Sequence, residues 1–166
     1  MKKIILSAFM LLGLAFSAQS QDIAKNALGL RLGSNDGFGA EISYQRGLSQ
    51  KNRLEFDLGW RNSRNIDAVK AVGLYQWVWN IDQGFNWYAG VGAGIAAWDD
   101  KHEYGPAYND DLNGVYVFAA GDIGIEYGFK NVPILLSIDA RPEIGSGYYN
   151  DDNFGFDVGL GVKFKF

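Results

Sequence analysis

The last thirteen residues of the chain leave it little freedom. Phe154, Phe156, Val158, Leu160, Val162, Phe164 and Phe166 are apolar, and Gly155, Asp157, Gly159, Gly161, Lys163 and Lys165 lie between them. Alternation of period two over that length describes a strand with two chemically different faces. A helix, with 3.6 residues per turn, would scatter the same residues around its axis.

The pattern recurs upstream. Leu28, Leu30 and Leu32 alternate with Gly29, Arg31 and Gly33, and Phe38, Ala40, Ile42 and Tyr44 with Gly39, Glu41, Ser43 and Gln45. Leu54, Phe56, Leu58 and Trp60 alternate with Glu55, Asp57, Gly59 and Arg61. Phe85 to Ile95, Val115 to Glu126 and Leu136 to Arg141 repeat the arrangement. The stretch from Val69 to Trp79 carries apolar residues on both faces, so it reads as a strand of undecided facing. The sum is eight strands of roughly ten residues, the length a tilted membrane strand needs.

The N-terminus points to export. Lys2 and Lys3 precede an apolar run from Ile4 to Phe16, and Ala18-Gln19-Ser20 places small residues before Gln21. This is the layout of a secretory signal peptide over residues 1–20, with a mature barrel domain over 21–166. The apolar run is too short to span a bilayer. The whole chain has 15 basic and 19 acidic side chains, a net charge of −4; losing Lys2 and Lys3 leaves −6. Such a chain has no basic patch for phosphates, so nucleic acid is not an expected partner. There is no cysteine to form a disulfide.

Alternation does not by itself say which face is inside, since a soluble barrel would turn its apolar face inward. Three features favour the inverted arrangement. The polar face is rich in glycine, which a narrow eight-stranded lumen requires and a solvated face does not. The tryptophans stand at strand ends, Trp60 and Trp98 on one rim and Trp77, Trp79 and Trp87 on the other, as interfacial girdles do. The connections Gly47–Asn52, Asn80–Gly84 and Phe129–Pro133 are short. Asn62–Asp67, Asp99–Asn113 and Gly145–Asn153 are longer and rich in Asp and Asn, although Ser34–Gly37 is tight. Short turns face the periplasm and long loops the exterior. The expected fold is an all-β, eight-stranded antiparallel up-and-down transmembrane β-barrel in the cell outer membrane.

With its signal peptide, eight alternating strands and terminal Phe166, the chain resembles the small OmpA/OmpX-type outer-membrane barrels. Asp139-Ala140-Arg141-Pro142 is similar to the D-W-R-P segment of such proteins, with alanine in place of tryptophan. The resemblance implies that Phe164 and Phe166 belong to a signal read by the barrel-assembly machinery. It also implies a monomer surrounded by outer-membrane lipid and lipopolysaccharide. It says little about function, because one fold hosts many roles.

Inward-facing charges are the remaining candidates for chemistry. Arg31, Glu41, Glu55, Asp57, Arg61, Asp122, Glu126, Asp139, Arg141 and Asp157 fall on the polar face. Buried charges must be paired to be tolerated, so these read as lumen ion pairs and not as acid–base groups. The tight loop at Asn35-Asp36-Gly37 sets Arg31 opposite Glu41, and a loop centred on Tyr149 sets Arg141 opposite Asp157. His102 is the one histidine, in an acidic loop with no serine nearby. Lipid A-modifying barrels, which resemble this chain in size, use a histidine with a serine, so that reading is disfavoured. The acidic clusters Asp99, Asp100, Glu103, Asp110 and Asp111, and Asp151 with Asp152, lack EF-hand spacing. No cofactor or metal is expected. The leading function is a structural barrel with a plugged, charge-paired lumen and loops that meet partners; a small low-conductance porin is the alternative. Protease added to whole cells should cut first within Asp99–Asn113, and the fragments identified by mass spectrometry should show the turn Asn80–Gly84 protected.

Overall fold

A computed structural model describes residues 23–33, 39–62, 66–100, 114–145 and 154–166, with side chains described outside 61–67 and 98–100. The expected signal peptide lies outside these residues, as do the Asn35–Gly37 loop, His102, Glu103, Asp110, Asp111, Asp151 and Asp152. Eight strands follow one another: β1 (Asn26–Gly33), β2 (Glu41–Gly47), β3 (Asn52–Asn62), β4 (Ile66–Asp82), β5 (Phe85–Asp100), β6 (Gly114–Gly128), β7 (Ile134–Gly145) and β8 (Phe154–Lys165). Each pairs with its sequence neighbours, and β1 closes on β8, giving an antiparallel barrel in the order β1 to β8. The closing seam runs from Ala27↔Lys165 to Gly33↔Gly159. Below it, Asn26 N–H donates to Phe166 O at 3.1 Å and Phe166 N–H to Asn26 O at 2.9 Å. Closure leaves no strand edge, the condition a sheet must meet in lipid.

The apolar set faces outward. Leu28, Leu30, Ile42, Phe56, Leu58, Val91, Ile123, Ile138, Leu160 and Val162 are all exposed. Arg31, Arg53, Arg141, Lys70 and Gln76 are among the largest fully buried side chains. A soluble barrel would show the reverse.

β4 settles the facing that its sequence leaves open. Lys70, Val72, Leu74, Gln76 and Val78 point inward and Val69 and Trp77 outward. Its inner face is apolar because it supplies Val72 and Leu74 to an interior cluster with Ala96, Tyr116, Phe118 and Ala120. β4 and β5, of 17 and 16 residues, exceed the expected length. They absorb both ends of what reads as loop. β3 and β4 remain paired to Asn62↔Asp67, so the connection there is shorter than expected. Asp99 and Asp100 end a strand, paired with Asp67 and Ile66, instead of opening a loop. At the other end, Asp82 pairs with Phe85 around Gln83-Gly84, whose φ values of 43° and 100° are both positive. Two such residues make the two-residue turn that matches strand twist, and Gly84 adopts this conformation at no steric cost.

Inside, large side chains lie over glycines. A Cβ on Gly124 would stand 2.5 Å from Cζ of Tyr88 and 2.7 Å from the carbonyl oxygen of Ile138. One on Gly159 would stand 2.5 Å from Cζ of Arg31, and one on Gly94 would overlap the Phe118 ring. Nothing lies within 4 Å of a Cβ on Gly39. Gly124→Val should therefore cost at least about 1–3 kcal/mol in urea unfolding from lipid, whereas Gly39→Ala should stay within about 0.5 kcal/mol of the parent.

Candidate functional site

The barrel's chemistry is concentrated in its lumen. Thirteen charged side chains are buried among the described residues, five cationic and eight anionic. Alternation aims them inward, and closure of the sheet brings distant strands within reach.

Arg31 on β1 holds three carboxylates from three strands. Its Nε donates to Asp139 Oδ1 at 2.9 Å, with Nη2 on the same oxygen, and its Nη1 donates to Asp157 Oδ2 at 2.6 Å and Glu41 Oε2 at 3.3 Å. Glu41 is shared, since Arg141 Nη1 also reaches its Oε2 at 3.3 Å. Nη2 of Arg141 donates to Asp57 Oδ2 at 2.5 Å and lies 4.0 Å from Glu55. Asp57 is on β3 and Arg141 on β7, diametrically opposite strands of an eight-stranded ring. Glu55 is served from several sides: Lys163 Nζ at 3.3 Å, Gln45 Nε2 at 2.6 Å and Ser43 Oγ at 3.1 Å.

A second group lies nearer the short turns. Arg53 donates to Glu126 Oε2 and to Gln76 Oε1, both at 2.6 Å, and its guanidinium lies 4.7 Å from the Tyr88 ring centre. Gln76 passes the interaction on, its Nε2 donating to Asp122 Oδ2. Asn86 completes Glu126 at 3.1 Å. Towards the other end, Lys70 bridges β4 to Glu143 on β7 at 2.7 Å, with its Nζ 5.3 Å from the Phe118 ring centre.

The two registers read from the loops are present: Arg31 is the Cα partner of Glu41, and Arg141 of Asp157. The second pair does not become an ion pair in the manner the register suggests. Asp157 turns to Arg31, and Arg141 reaches across the lumen to Asp57. A guanidinium on a long stem chooses among every carboxylate that closure brings near, not only the one opposite it. Arg53, Lys70, Glu143 and Lys163 complete the network and are absent from the sequence-based set. Parity would have found three of them, since Arg53, Glu143 and Lys163 stand an even number of residues from Glu55, Arg141 and Asp157. Lys70 is on the strand of undecided facing. Arg61 is the Cα partner of Ala68, on the inner register, and its side chain lies outside the described residues.

At the rims, Trp60 and Trp77 are exposed, and Trp79 stacks on Trp87 with ring centres 4.2 Å apart. Trp98 is the Cα partner of Ala68, and its side chain lies outside the described residues. Phe164 and Phe166 are exposed beside the short turns.

This closed, inside-polar barrel recurs in solved structures. The N-terminal β-barrel domain of Pseudomonas aeruginosa OprF superposes with a TM-score of 0.63 at 14% identity, covering 87% of this chain and 100% of that one. The fold is that of the small outer-membrane barrels. Neisserial surface protein A gives 0.58 at 11% identity over 85% of this chain and 94% of that one. Ail, the attachment invasion locus protein of Yersinia pestis, gives 0.54 at 14% identity over 85% and 96%. No family model and no curated protein sequence matches the chain.

The geometry ranks the couplings. Double-mutant cycles by urea unfolding in lipid should give Arg31 a larger coupling energy with Asp139 than with Glu41. They should give Arg141 a larger coupling with Asp57 than with Asp157. Each single truncation that strands a buried charge should cost about 3–5 kcal/mol.

Proposed function

We propose that the protein is a structural outer-membrane barrel: a rigid, plugged wall element that carries its outer loops to the cell surface. The ion pair from Arg141 to Asp57 carries this reading, because it joins opposite strands through the middle of the lumen. Around it, Arg31, Glu41 and Glu55 fill the section a solute would have to cross. The lumen carboxylates act as counter-ions. Each of Asp57, Glu126, Asp139 and Asp157 is within 2.6 Å of a guanidinium nitrogen. A carboxylate so engaged stabilises the wall and is not free to move a proton during catalysis.

In this reading residues 1–20 direct export, and the outward apolar band meets outer-membrane lipid, with lipopolysaccharide at the long-loop end. The barrel-assembly machinery reads Phe164 and Phe166, which stand on the outer surface at the strand end that reaches the periplasm. The barrel works as a monomer, and the negative charge of the mature chain argues against nucleic acid as its partner.

The mature chain should fractionate with outer membranes and migrate faster unheated than boiled on a denaturing gel, since a closed barrel resists detergent. In planar bilayers it should give no discrete conductance steps. Recovery from the soluble periplasm would overturn the membrane assignment. Steady single-channel steps would overturn the plug and favour a small porin.

A further inference from the structure

The lipid-facing wall carries a groove and a cation that neither closure nor the lumen explains. Across β2 to β5 the outward side chains at mid-strand are of unequal height. Ile42, Tyr44 and Phe56 form a wall, and Ala71, Gly73 and Ala93 form a floor. The register makes this one feature, with Tyr44, Phe56, Gly73 and Ala93 in successive Cα pairing. A Cβ on Gly73 would meet only the edge of the Phe56 ring, at 3.5 Å, so the floor opens outward. The groove's volume, about 530 Å³, is within the range of small-molecule sites.

Two residues along β2 from Tyr44, towards the short turn, stands Arg46. It is exposed, on the lipid-facing register, and the Cα partner of Leu54, itself the partner of Tyr75. Polar groups gather at this level. Tyr44 Oη and Arg46 Nη1 both donate to Asn26 Oδ1, at 2.9 and 2.7 Å, and Asn52 Nδ2 donates to Tyr75 Oη. Trp77 packs edge-on against Tyr75, with ring centres 5.0 Å apart. Tyrosine hydroxyls and an indole are the groups enriched at a membrane interface. Among the described residues no carboxylate lies within salt-bridge distance of Arg46. An interfacial guanidinium without an acidic partner suits a phosphodiester, which it can bind through two parallel hydrogen bonds.

We infer that Arg46 and the Tyr44–Gly73 groove form a single binding site for a glycerophospholipid of the periplasmic leaflet. The phosphate rests on Arg46 and one acyl chain lies along Gly73, Ala71 and Ala93. The inference rests on the membrane reading above and on the short turns marking the periplasmic side. The phosphate supplies the charge complementarity. The groove rises from it towards mid-membrane, where an acyl chain is the matching occupant.

The test folds the mature barrel into vesicles of phosphatidylethanolamine and phosphatidylglycerol, extracts it in mild detergent and titrates dimyristoyl phosphatidylglycerol by native mass spectrometry. The parent should retain one lipid. Arg46→Gln and the groove-filling Ala71→Leu should each weaken retention about tenfold, and Lys130→Gln, on a remote short turn, should not. Glycerol phosphate, a headgroup without chains, should fail to displace the lipid. Gel mobility before and after heating confirms that each variant has inserted; a parent that never inserts overturns the membrane reading instead. Inserted variants that retain lipid like the parent overturn the site. So does equal loss in Lys130→Gln, which would mean unspecific charge, or loss in Arg46→Gln alone, which would mean a headgroup contact without a groove. A dimer abolished by Ala71→Leu would put a second copy of the chain in the groove and also overturn it.

Discussion

Eight strands enclose a lumen with room for a single layer of interdigitated side chains, and the remaining features of this barrel follow from that width. Several large inward residues lie over a glycine of the neighbouring strand. Arg31 lies over Gly159, Tyr88 over Gly124 and Phe118 over Gly94. The glycines of the polar face are therefore placed by neighbours on other strands and not by the needs of their own strand. The same narrowness brings β3 within hydrogen-bonding distance of β7, so that Arg141 can reach Asp57. Closure supplies the backbone's hydrogen bonds, and width determines which side chains can meet.

The charge balance inside is uneven, with eight carboxylates against five cations among the described residues. Buried ion pairs recover at best about what their desolvation costs, so the network is not a large net source of stability. Its weight lies in what any alternative arrangement would strand. Slipping β1 by one residue would take Arg31 from three carboxylates and point it at lipid. Neutral donors fill some of the gaps that the cations leave. Ser43 and Gln45 serve Glu55, Gln76 serves Asp122, and Asn86 serves Glu126. The apolar cluster of Val72, Leu74, Ala96, Tyr116, Phe118 and Ala120 occupies the β4–β6 side, where the ladder is longest and charges are few. The interior is thus divided into a polar half that fixes register and an apolar half that fills volume.

Much of this was legible in the sequence, because in lipid each residue's face is dictated by parity. The eight strands, the inward charges and the hairpin registers at Arg31↔Glu41 and Arg141↔Asp157 follow from alternation and loop length alone. What escaped depends on the third dimension. β4 was ambiguous because its inner residues Val72 and Leu74 pack against β6 residues more than forty positions away. The partner of Arg141 was missed because pairing along a ladder is local, whereas a chord across a ring depends on closure and rotamer. Asp99 and Asp100 read as loop because they are acidic, although the β4–β5 ladder continues through them.

A wall so determined has few places left to specify function. Inward positions are committed: changing one charge strands another, and enlarging one glycine displaces a side chain on a different strand. In a membrane barrel the mid-strand outward positions face hydrocarbon, where most apolar residues serve equally well, so a glycine there, such as Gly73, is noteworthy because insertion does not require it. Information beyond the fold must therefore reside at the two rims and in departures from a uniform lipid-facing surface. The short-turn rim already shows such a departure. Its aromatics are grouped, with Trp79 stacked on Trp87 and Tyr127 between Phe85 and Phe129, while Arg46, Asn26 and Tyr44 form a separate polar patch on β1 and β2. Register places each of these groups, since Trp79 and Trp87, Phe85 and Tyr127, and Asn26 and Arg46 are Cα partners on neighbouring strands.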